Sequence, residues 1–161
     1  MNEWKDFWVA VAGSSAALTG LIFVGVSISL ERILASHQLP SRAMQSLLLL
    51  LTVLVVATLN LIPRQLPFLI GMEILVIGIL VWIITLRSDL KALPKTESKE
   101  KKYIRHNIIL TQFAVMPYII SGIVILLKGT DYGIYCLAPG IILCFIKAVL
   151  DAWVLLVEIY R

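Results

Sequence analysis

Lys147 and Asp151 stand four residues apart in the run CFIKAVLDAW, residues 144–153, with apolar residues on both sides. At that spacing two side chains share one face of a helix and can meet. An ammonium and a carboxylate held together can neutralise each other, or can hold and pass ions. A third charge, Glu73, interrupts the run LIGMEILVIG. Asn60, Thr111 and Tyr118 add hydrogen-bonding groups inside other apolar runs. A charge alone at the centre of a bilayer costs roughly 2.5–3.5 kcal/mol on insertion scales. Glu73, Lys147, Asp151, Asn60, Thr111 and Tyr118 are therefore the candidate polar positions of an intramembrane route.

Other chemistries find little support. Cys136 and Cys144 are eight residues apart, or ~12 Å along a helix axis. They cannot bridge within that helix, and both are assigned to packing. His37 and His106 are isolated from them, so no metal-ligand spacing arises. There is no Walker pattern, dinucleotide fingerprint or HExxH. No serine–histidine or paired-aspartate arrangement is present, and Ser14 and Ser15 fit helix packing better than nucleophilic chemistry. The expectation is a protein that is not an enzyme and carries no cofactor or metal.

The elements that must position these side chains are membrane helices. The chain has 161 residues, of which 60% are hydrophobic and 15% charged, and its mean hydropathy is +0.94. A soluble domain would carry about 25% charged residues. The charges are segregated, leaving apolar stretches at about 7–30, 44–62, 68–86, 108–127 and 134–157, each long enough to cross ~30 Å of hydrocarbon. The fold expected is all-α: one polytopic transmembrane domain over 1–161 with five spans. Pro63 and Pro67 mark a turn between spans two and three, and KGTDYG links spans four and five. The segment 87–107 is a basic polar loop, with a helix start near Ser98–Lys101. The first stretch lacks a strongly basic N-terminal region and a cleavage region, so it is read as a retained span.

Orientation follows from Lys and Arg. Arg32, Arg42, Arg87, Lys91, Lys95, Lys99, Lys101, Lys102, Arg105 and Arg161 fall on one side, against Lys5, Arg64 and Lys128 on the other. That bias places the N-terminus outside and the C-terminus in the cytoplasm, as an odd number of spans requires. It also explains the pI of about 9.2 without a nucleic-acid partner. Trp4, Trp8, Trp82, Tyr103, Tyr132 and Tyr160 flank the spans and read as interfacial anchors.

Small residues let membrane helices approach closely. Gly13, Ala17, Gly20 and Ser27 form such a stripe in span one, suited to another helix of the chain or of a partner. Gly140 is a further packing position in span five. In span four, Asn107, Thr111, Ala114, Tyr118 and Ser121 recur at helical spacing around Pro117, which suits either a water-lined cavity or a buried interface.

The stretch WKDFWVAVAGSSAALTGLIFVGVSISLERIL resembles the start of small bacterial multi-spanning integral membrane proteins, some labelled modulators of a membrane-anchored AAA protease. Trp4, Phe7, Gly13, Ala16, Ala17, Leu18, Thr19, Gly20, Leu21, Phe23, Val24, Ser27 and Leu30 carry the likeness, which is confined to about thirty residues. It implies a multi-pass protein of the bacterial cytoplasmic membrane and transfers no functional residue. The polar positions at several depths favour a channel or ion-translocating protein, working as a homo-oligomer in the lipid bilayer. The alternative is a non-enzymatic adaptor or modulator of a larger membrane protein.

The charge bias yields a direct expectation. A fluorescent protein fused after Arg161 will fluoresce inside the cell, and a cysteine at Asn2 will react with an impermeant maleimide on intact cells. Labelling of Asn2→Cys only after lysis would reverse the orientation.

Overall fold

The computed structural model describes residues 4–35, 39–92 and 98–159. His37, Lys95, Tyr160 and Arg161 lie outside the described residues, as do the side chains of residues 92–104 and of Glu158. The described chain is helical: α1 (Lys5–Ile28), α2 (Leu30–Ala35), α3 (Leu39–Asn60), α4 (Pro67–Ala92), α5 (Ser98–Lys128) and α6 (Thr130–Ile159). Five are long and apolar enough to span a membrane, over Lys5–Ile28, Leu39–Asn60, Pro67–Lys91, Arg105–Lys128 and Thr130–Val157. The all-α, five-span expectation holds, and the protein is a multi-pass membrane protein. Helices suit this setting because hydrocarbon offers no partner for free backbone N–H and C=O groups.

Several boundaries move outward from the apolar stretches. α3 begins at Leu39 rather than near residue 44, and α4 runs to Ala92 rather than 86. The link between α5 and α6 shrinks to Gly129, whose φ of 94° is the left-handed conformation that glycine adopts cheaply. Its N–H bonds to the Ile125 carbonyl at 3.0 Å, closing the end of α5. At the α3–α4 turn Arg64 takes a positive φ of 59°. Pro67 then opens α4, where its missing N–H costs nothing.

The chain forms two compact units, Met1–Pro63 with Phe145–Arg161, and Arg64–Cys144. In the first, α1 packs on α3. α3 buries a broad face that includes Leu49, Leu50, Val53, Val56 and Ala57. α1 contributes Trp8, Val11 and Ser15. Trp8 is only 3% exposed, so it is a core side chain and not the interfacial anchor its position suggests.

In the second unit, glycines set the helix spacing. On α4, Cβ atoms at Gly71 and Gly78 would lie 3.0 Å from Ile125 and 3.1 Å from Tyr118 on α5. On α5, a Cβ at Gly122 would lie 2.8 Å from Leu75 on α4. These pairs run in antiparallel order along one seam. The start of α6 approaches α5 the same way, with Gly133 against Ile125 and Gly140 against Pro117. By contrast, a Cβ at Gly13, Gly20 or Gly25 of α1 would meet nothing within 4 Å among the described residues.

This contrast predicts opposite outcomes for one substitution. Gly122→Ala will lower stability by about 1–3 kcal/mol, because the methyl must displace the Leu75 backbone. Gly20→Ala will leave it unchanged or raise it by up to about 1 kcal/mol. Unfolding in detergent micelles measures both, and equal stabilities would refute the seam.

Candidate functional site

The buried face of α6 follows a three-and-four spacing: Leu137, Gly140, Ile141, Cys144, Lys147, Ala148, Asp151 and Leu155. An otherwise ordinary packing stripe thus carries two charges. Lys147 and Asp151 are 4% and 3% exposed. The Lys147 ammonium donates to Asp151 Oδ2 across one helical turn. Lysine preceding aspartate is the less favourable order for an isolated helix. The contact is therefore a consequence of burial, with each charge satisfying the other.

A third charge, on α3, was not legible as part of this site. Arg42, 9% exposed, and Gln45 are both buried on α3. Arg42 acts electrostatically on the Asp151 carboxylate. Beside it the Ser46 hydroxyl donates to the carbonyls of Ala43 at 3.0 Å and Arg42 at 3.2 Å. Within this unit the buried Lys147–Asp151 pair of α6 therefore feels a third buried charge, Arg42 of α3. The polar neighbourhood HQLPSR suggests a loop at Arg42, whereas α3 begins at Leu39 and includes it. The available signal was periodicity: Leu39, Arg42, Ala43, Ser46, Leu49, Leu50 and Val53 continue one helical face backwards from the apolar run.

The remaining candidates are met locally. Glu73 Oε2 accepts from Gln65 Nε2 at 2.6 Å, in the turn that precedes its own helix. Asn60 donates to the Val56 carbonyl at 2.8 Å and Thr111 to the Asn107 carbonyl at 3.0 Å. Such back-bonding lets a polar side chain sit in an apolar setting without a second helix.

In the second unit Thr111, Ala114, Tyr118 and Ser121 form a packed face of α5. Ser121 donates to the Gly133 carbonyl at 2.8 Å, and the Cys144 thiol to the Ala114 carbonyl at 3.6 Å. The Tyr118 hydroxyl has Cys144 as its polar neighbour. Gln112 keeps both amide atoms buried without a hydrogen-bond partner among the described residues. Asp89 on α4 is a further buried carboxylate beyond the apolar stretch.

The small residues of α1 follow a different pattern. Gly13, Ala17, Gly20 and Ser27 are exposed. The buried residues of α1, which packs on α3, are Trp8, Val11 and Ser15. Cys136 and Cys144 form no disulfide among the described residues, and no group of metal-ligating side chains occurs among them. Comparison with known protein families, curated proteins and solved structures finds no match.

A buried pair should respond differently to halving and to removal. Asp151→Ala strands the ammonium and will cost about 3–5 kcal/mol of stability. Joint replacement, Lys147→Met with Asp151→Leu, will recover most of that loss. Unfolding in micelles provides the measurement. A joint variant as unstable as Asp151→Ala would show that lost packing, not an uncompensated charge, causes the loss.

Proposed function

We propose that this protein moves an ion across the membrane, as an assembly of identical subunits, with Arg42, Lys147 and Asp151 forming the polar step. One observation carries the reading: Lys147 and Asp151 are buried as a pair on the membrane helix α6, with Arg42 buried on α3 near enough to act on the carboxylate electrostatically. Ionisable side chains within membrane spans are costly and commonly mark ion pathways. Stability gives little reason for them, since well-packed apolar residues of similar volume serve as well or better than a buried ion pair.

The chemistry of such a step is exchange. An arriving cation competes with Lys147 for the Asp151 carboxylate, whereas an arriving anion competes with Asp151 for Lys147 and Arg42. The pair closes again when the ion leaves. Assembly fits the small number of spans, because a ring of subunits can enclose a route that one short-linked subunit cannot.

A second reading has its own observation. The Gly13–Ala17–Gly20–Ser27 face of α1 is open, and small residues suit close approach by another membrane helix. That favours a non-enzymatic adaptor or modulator docked on a larger membrane protein, in keeping with the label attached to sequences that resemble span one.

Proteoliposomes separate the two. The purified protein will conduct ions, and the joint Lys147→Met, Asp151→Leu variant will insert and fold but lose at least about tenfold in flux. Arg42→Gln will shift the preference between cations and anions. Absence of flux across varied ions, pH and voltage would reject translocation and leave the adaptor.

A further inference from the structure

The ammonium of Lys147 and the carboxylate of Asp151 are shut away from solvent, and a hydrogen bond already joins them. Of the other elements in this unit, α3 contributes Arg42, whose charge acts on the same carboxylate. The buried side chains of α1 are Trp8, Val11 and Ser15, and that of α2 is Ile33. Lys5 and Asp6 of α1 and Glu31 and Arg32 of α2 are exposed. Among the described residues, both charges that act on Asp151 are therefore positive.

This setting suits few ions. A divalent cation takes about six oxygen ligands or more. The pair offers the two oxygens of one carboxylate, and Lys147 already holds one of them. A metal cation would also be added to two existing positive charges. An anion would have to displace Asp151 and lose its own hydration among packed helices, which is costly. A proton needs no ligand shell and no room. It needs a hydrogen bond to move along, and that bond is present.

We infer that the ion is the proton, passed between Lys147 Nζ and Asp151 Oδ2. This names the ion of the translocation reading and rests on it. One N–H bond of the ammonium breaks and an O–H bond forms at Oδ2. The pair is then an amine and a carboxylic acid, both neutral. A low dielectric disfavours separate charges, so the neutral pair lies nearer in free energy to the ion pair than it does in water. The acid releases its proton on one side, and the amine lone pair takes up another from the other side. The ion pair is restored, one proton has passed the site, and no co-reactant is consumed. Arg42 stays charged throughout, because a guanidinium does not give up its proton in proteins. Its charge favours return of Asp151 to the carboxylate.

Proteoliposomes holding the full chain and a trapped pH-sensitive dye test the inference, with potassium and valinomycin setting the voltage. Sodium and chloride flux, and potassium flux without the ionophore, are followed in parallel. The native chain will move protons and none of the other three ions. Lys147→Arg keeps the charge and the pair but has no proton to release, and it will lose at least about tenfold in proton flux. Lys147→Gln with Asp151→Asn keeps two hydrogen-bonding side chains without a transferable proton and will lose flux likewise. Far-ultraviolet dichroism and elution volume establish that each variant is folded, and either suffices if the other is not.

Proton flux undiminished in a folded variant would overturn the pair as the carrier. Sodium, potassium or chloride flux by the native chain without proton flux would overturn the proton and leave translocation standing. Absence of flux of every ion would overturn both.

Discussion

Hydrocarbon cannot hydrogen-bond, and the internal arrangement of this protein follows from that. In water a stray hydroxyl or amide costs little. In a bilayer an unpartnered one costs a few kcal/mol, so most find a partner inside the protein, with Gln112 an exception among the described residues. Thr52, Thr85, Thr111 and Asn60 answer by donating to carbonyls one turn back on their own helices. Glu73 answers through the side chain of Gln65. Lys147 and Asp151 answer through each other. The same constraint gives the buried charges their interest, because a pair that only neutralises itself has no advantage over two leucines.

Association of the helices follows from the same solvent. Lipid tails are as apolar as the side chains, so helices gain by fit rather than by escape from water. In the second unit the fit comes from glycine. Gly71, Gly78 and Gly122 seat α4 on α5, and Gly133 and Gly140 seat the start of α6. Pro117 lies in this seam, against Gly140. Proline removes a backbone donor, yet α5 runs through Pro117 to Lys128. α1 has glycines at which an added Cβ would meet nothing within 4 Å among the described residues. The same residue type thus serves as a filled seam in one unit and an open face in the other.

The spans were legible because length and hydropathy are properties of the chain alone. Their ends were less so. Arg42 and Asp89 lie beyond the apolar stretches and are nonetheless buried on helices. A hydropathy profile stops at the first charge, whereas a helix stops where its backbone hydrogen bonds do. Periodicity reaches further, since both residues continue a buried face at helical spacing. The link KGTDYG read as a loop because its residues are turn formers. One left-handed glycine was enough, and Thr130 onward continued as helix.

By itself the sequence determined the all-α class, the five spans and the spacing at which Lys147 can meet Asp151, because each depends on local periodicity and on the solvent. Only the tertiary structure decided that Trp8 is core and that Arg42 belongs with the charged pair. It also separated the glycines that are covered from those that are open. Those outcomes depend on which helix lies alongside which. Many helix pairings satisfy the same apolar pattern equally well, and the choice among them rests on side-chain shapes brought together from distant parts of the chain.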